Sequence, residues 1–85
     1  MKIIYTSRFI RKYRKLSGAI KDLAEIKEEL FRQDPFNPIL KTHKLKGALD
    51  GLWAFSLDYA HRIIFEFDSG GKAYFHEIGD HSVYD

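Results

Sequence analysis

"HRIIFEFDSGGKAYFHEI", residues His61–Ile78, carries the plainest structural signal in the chain. "HRIIFEF" (His61–Phe67) and "KAYFHEI" (Lys72–Ile78) are both rich in β-branched and aromatic residues, which read as strands. Between them "DSGG" (Asp68–Gly71) supplies residues that tolerate a tight reversal, so the two runs form an antiparallel hairpin. Side chains alternate across a strand. Ile63, Phe65 and Phe67 therefore share one face, and Arg62, Ile64 and Glu66 share the other. The apolar set is expected to face the core, which leaves Arg62 pointing from a more open face.

Upstream, "LWAFSL" (Leu52–Leu57) predicts another strand, joined to the hairpin by a turn at Asp58-Tyr59-Ala60. "KIIYT" (Lys2–Thr6) predicts a first strand. Ser7 then offers a cap to a helix on which Phe9, Tyr13 and Leu16 recur at i, i+4 and i+7. Ser17-Gly18 interrupts that helix. A second follows over roughly Ala19–Gln33, with Ile20, Leu23, Ile26 and Leu30 as its apolar stripe. "DPFNP" (Asp34–Pro38) is irregular, because each proline pushes its predecessor out of the helical region. "ILKTHKLKGALDG" (Ile39–Gly51) reads as a polar connection. The expected fold is α+β in the order β-α-α-β-β-β: a helical hairpin packed on one face of a small, mainly antiparallel sheet. Residues 1–85 are expected to form a single domain.

The formal net charge of +2 hides an uneven distribution. Residues 1–46 carry twelve Lys/Arg against five Asp/Glu, whereas residues 47–85 carry two against seven. The basic half suits a polyanion or an acidic partner, or else is a solvated helix surface. There is no cysteine, which excludes disulfides and thiolate metal sites. "MKIIYTSRFIRKYRK" lacks the apolar run of a signal peptide, and no stretch approaches the ~20 apolar residues of a membrane span. A soluble cytoplasmic protein without membrane association is expected.

The ionisable residues of the second half carry the candidate chemistry. Arg62, set among apolar strand residues, either pairs across the sheet with Glu66 or Glu77 or serves as a fixed cation for phosphate, whose oxygens match a guanidinium. His81, beside Asp80 in the closing segment, is either solvated or a general acid or base. His43 sits between lysines in "KTHKLK". His61 opens a strand at a sheet edge, and His76, inside one, reads as structural. No H-x-x-x-H or H-E-x-x-H spacing supports zinc, and neither a P-loop, G-x-G-x-x-G nor G-x-S-x-G occurs, so no metal or cofactor is expected. Imidazoles, cations and a tyrosine suit RNA cleavage, since RNA supplies its own nucleophile in the 2′-OH and needs only a base, a phosphate-holding cation and an acid.

Three segments carry a family likeness: "THKLKG" (Thr42–Gly47), "HRIIFEF" (His61–Phe67) and "IGDHSVYD" (Ile78–Asp85). In that order, in a chain of this length, the sequence resembles the RelE/ParE superfamily of bacterial type II toxins, and within it the RelE/YafQ-like mRNA interferases. The resemblance implies a ribosome-dependent endoribonuclease that cuts mRNA through the 2′-OH, and a cognate antitoxin as partner. It implies catalytic roles for His43, Arg62, His81 and Tyr84: Arg62 on the scissile phosphate, His81 as acid or base, Tyr84 as the orienting aromatic, His43 as the loop histidine. His61, standing where YafQ-like members carry aspartate, is a further catalytic candidate. Trp53 and Phe55 stand where RelE-type members carry lysines. Arg8, Arg11, Lys12, Lys41, Lys44 and Lys46 would bind mRNA or ribosomal RNA phosphates. ParE-type relatives share the fold but poison gyrase, so a gyrase-directed toxin and an inactive antitoxin-binding relative are the alternatives.

Overall fold

Strand β1 (Lys2–Tyr5) enters helix α1 (Ser7–Arg14) through Thr6 in this computed structural model, which describes residues 1–80. Thr6, not Ser7, is the cap. Its extended backbone lets Oγ1 accept from Phe9 N–H at 3.2 Å while donating to the Phe75 carbonyl at 3.2 Å. Ser17 caps helix α2 (Gly18–Gln33) by accepting from Ile20 N–H at 3.3 Å. The proline-rich stretch becomes a short 3-10 turn, Pro38–Leu40. The connection then holds a two-residue strand, β2 (His43–Lys44), that local pattern does not announce. A second 3-10 turn (Gly47–Leu49) follows, then β3 (Trp53–Ser56), β4 (Arg62–Phe67) and β5 (Lys72–Gly79).

The five strands lie in the order β1-β5-β4-β3-β2. Three pairings are antiparallel, and β1 alongside β5 is parallel, so the expected α+β architecture stands with a mixed sheet. The β4–β5 hairpin closes through Asp68 N–H to Lys72 O at 3.0 Å, with Asp68 Oδ1 accepting from the Gly70 and Lys72 amides at 2.9 Å. Gly71, at φ 79°, supplies the left-handed residue that such a loop requires.

Ile63 and Phe65 face the helices, as their alternation predicts. Phe31 of α2 is wholly buried among them, its ring 4.9 Å from those of Phe55 and Phe65 and 5.3 Å from that of Phe75. Burying a phenylalanine stabilises a fold by about 1.5–3 kcal/mol, so this four-ring cluster is the chief anchor of α2. The stripe read from α2 needs one correction. Ile26 is 61% exposed, while Ala24 and Phe31 are buried and Lys27 is half-buried. The buried face thus runs through positions 20, 23, 24, 27, 30 and 31, and of that stripe only Ile26 falls outside it.

The opposite face of the sheet is only partly covered. A smaller cluster of Leu45, Ala54 and Ile64, with Leu49 and Leu52 against it, roofs its middle. Ile64 pairs with Glu77 while Phe65 pairs with Phe75, so His76 is the extra residue of a bulge. The bulge returns Glu77 to the same face as Ile64. Among the described residues no helix is long and apolar enough to cross a membrane.

Candidate functional site

Arg62 begins β4, opposite Ser56 on one side and Gly79 on the other. Neither acid proposed as its partner takes it. Glu66 holds His76 Nε2 at 3.0 Å. Glu77, whose side chain is 13% exposed, holds Arg8 Nε at 2.7 Å and Lys12 Nζ at 2.8 Å. The contact to Lys12 is an ion pair without an aligned hydrogen bond at Glu77 Oε1. Arg62 instead donates from Nη1 to the Tyr59 carbonyl at 3.4 Å, and among the described residues its guanidinium makes no ion pair with a carboxylate. It lines a cleft of about 440 Å³ together with Lys27, Lys41, Ser56, Ile39 and Tyr59.

His43 is exposed on β2 and pairs with Ala54, in the same row of the sheet as Ile64 and Glu77. It therefore shares a face with Arg62. Its Nδ1 lies 2.9 Å from the Lys41 carbonyl. A carbonyl only accepts, so Nδ1 carries the proton in the neutral ring and Nε2 keeps a free lone pair. Lys41 reaches this geometry at φ 52°, a left-handed conformation uncommon for a residue with a side chain. Backbone strain of this kind collects at functional positions.

The remaining candidates are dispersed. His61, although next to Arg62 in the chain, lines a different cleft, with Lys12, Lys15, Leu16, Ile78, Gly79 and Asp80. Its Nδ1 is 3.0 Å from Asp58 Oδ1. Burial pulls the Asp58 pKa up, but bonds from the His61 ring, the His61 amide and the Ala60 amide outweigh it and hold the carboxyl below its usual range. Lys44 sits over the Trp53 ring at 5.4 Å, a cation–π contact on the helix side of the sheet. Lys46 and Arg11 are exposed. Arg8 and Lys12 are engaged with Glu77, so their charges are already matched in part. His81 and Tyr84 lie outside the described residues.

Trp53 and Phe55 do not stand beside Arg62. Both belong to the core side, where Phe55 is fully buried and Trp53 packs against the same cluster. The β3 positions on the face of Arg62 are Ala54 and Ser56. Three residues of the Arg62 and His61 surroundings were not singled out from sequence. Lys27 reads from sequence as a residue of the wet side of α2, and its half-buried position, seven residues after Ile20, corrects that. Asp58 and Tyr59 were visible only as turn residues.

No protein-family model matches this chain, and no curated protein sequence matches it. Solved structures do. The YoeB/ParE toxin from Agrobacterium tumefaciens superposes with a TM-score of 0.79 at 20% identity, over 95% of this chain and 99% of that one. YafQ from E. coli strain BL21(DE3) gives 0.77 at 17% identity, over 98% and 96%. The toxin–antitoxin complex RelBE2 from Mycobacterium tuberculosis gives 0.70 at 18% identity, over 93% and 95%. The chain shares the fold of these toxin structures.

Proposed function

We propose that this chain is the toxin of a type II toxin–antitoxin system, a single RelE-like domain over residues 1–85 that cleaves mRNA on the ribosome without a metal. The observation that carries this reading is Arg62: a strand arginine that makes no ion pair with a carboxylate among the described residues, in a cleft shared with Lys27 and Lys41. A cation held ready for phosphate needs that freedom.

His43 supports the base. Two strands and two residues separate it from Arg62, a Cα distance of roughly 12 Å from ordinary sheet spacings. Long side chains from both ends of that span meet over a phosphate. His43 Nε2 takes the proton of the 2′-OH, whose oxygen attacks phosphorus. The bond to the 5′-oxygen breaks, leaving a 2′,3′-cyclic phosphate, and an acid returns a proton to the departing oxygen. His81 is the residue assigned to that acid, with Tyr84 orienting the substrate. Arg62 stabilises the charge that develops on the phosphate oxygens. Lys41, Lys44, Lys46 and Arg11 attract the RNA backbone, and His61 is an auxiliary group next to the segment that leads into His81. The protein acts in the cytoplasm, where ribosomes are. A cognate antitoxin is its partner, as the toxin of RelBE2 is found in a toxin–antitoxin complex.

The test is primer extension on a reporter mRNA in a translating extract, with wild type, Arg62→Gln and His81→Ala. Cuts within codons by wild type are expected, falling by about 100- to 1,000-fold in Arg62→Gln, the usual effect of removing one donor that stabilises transition-state charge. Intact message with folded wild type overturns the nuclease reading in favour of gyrase poisoning or an inactive antitoxin-binding relative.

A further inference from the structure

Tyr59 is the most exposed large hydrophobic side chain in the described structure, at 95%, and its ring makes no aromatic contact there. A large aromatic left in water at the tip of a hairpin does nothing for folding. Its backbone, by contrast, is held firmly. Asp58 Oδ1 accepts from the Ala60 amide at 2.9 Å and the His61 amide at 2.7 Å, and the Tyr59 carbonyl accepts from Arg62. The turn presents the ring on a fixed base, at the rim of the cleft that holds Lys27, Lys41 and Arg62.

We propose that Tyr59 is a stacking platform for a nucleobase, and that the three cations beside it hold the adjoining phosphate. The cleft is then a subsite one nucleotide wide for single-stranded RNA, resting on the reading of the chain as an RNA-cleaving toxin. Its volume, about 440 Å³, lies within the range of small-ligand sites, roughly 300–1,000 Å³. The one acid on its rim, Asp58, is turned into the loop by two amides and the His61 ring, and three cations outnumber it. Ile39, exposed on the same rim, adds an apolar wall. Cations alternating with an aromatic surface are the pattern by which proteins hold unpaired strands. Every base has a flat face, so this subsite adds affinity and positions the phosphate on Arg62 without dictating codon choice. Lys27 lines it from a half-buried position of α2, and a lysine so placed can lay its stem along apolar surface while its ammonium stays in water.

The experiment measures binding of the full chain to an uncleavable 2′-O-methyl RNA of about ten nucleotides, and to a fully abasic strand of equal length, by fluorescence anisotropy. Tyr59→Ala should weaken binding to the base-bearing strand roughly 5- to 100-fold, the effect of losing one base–aromatic stack, and leave the abasic strand unaffected. Tyr59→Phe should bind like wild type. Lys27→Gln should lower the slope of log affinity against log salt by about 0.7. Equal binding of Tyr59→Ala and wild type to the base-bearing strand overturns the platform while leaving the toxin reading intact. So does equal weakening on the abasic strand, or a Tyr59→Ala effect confined to capture of the antitoxin. A wild type that neither binds RNA nor cuts message fails the toxin reading itself, and the subsite with it.

Discussion

The two faces of the sheet solve opposite problems. The helix side is closed by rings: Phe31, Phe55, Phe65 and Phe75 are all fully buried, and among the described residues no buried charged group lies with them. The other side is roofed only in its middle, by Leu45, Ala54 and Ile64. Around that roof stand exposed His43, half-buried Arg62, and Glu77 with its two cations. Charged groups stay accessible there because too little apolar surface is available to cover them. In a chain of 85 residues, the dense face must hold the fold so that the sparse face can remain open.

The contrast is sharpest in stability. Phe31→Ala should cost about 3–5 kcal/mol, since it empties the centre of four packed rings. Ile64→Ala on the sparse face should fall near the low end of the range for such changes, about 2 kcal/mol, because its neighbours are fewer and nearer to water. Denaturant midpoints at constant slope measure both. Equal costs would break the distinction between the faces.

A smaller effect, on the order of 1 kcal/mol, is expected for Glu77→Gln. Its carboxylate is mostly buried, but both cations that hold it reach solvent and are partly screened. The same change releases Arg8 and Lys12, so the salt dependence of RNA binding should steepen. A shallower slope would mean that these two cations serve only to tie α1 to β5.

The smallest effect concerns Asp58. Its pKa is lowered in the folded protein, so the group contributes stability above the unfolded value near 3.9 and loses it as pH falls through the folded value. Asp58→Asn should therefore cost less than about 1 kcal/mol at pH 7, and the difference from wild type should shrink below about pH 4. A difference that persists at pH 2 would assign it to the backbone turn and not to the charge.

Much of this was legible from local pattern. Period-two alternation placed Ile63 and Phe65 on one face and Arg62 on the other. The Asp-Ser-Gly-Gly loop announced its hairpin, and the proline pair announced the end of α2. What escaped depends on neighbours distant in sequence. The β2 strand exists because His43 and Lys44 meet Ala54 and Trp53, not because two residues have strand character. Ile26 satisfies a helical spacing as well as Phe31 does, and only the position of the sheet chooses between them.

By itself, then, the sequence determined which segments are helix or strand, the apolar face of the central strand, and a basic first half set against an acidic second. Those follow from periodicity and backbone preference, which act over a few residues. Tertiary structure alone decided which charges are spent and which are free. Glu77 goes to Arg8 and Lys12, Glu66 to His76, and Arg62 joins Lys27 and Lys41 in one cleft. Ion pairing depends on distances of a few ångströms between side chains on different elements, and only the strand register and the bulge at His76 set those distances.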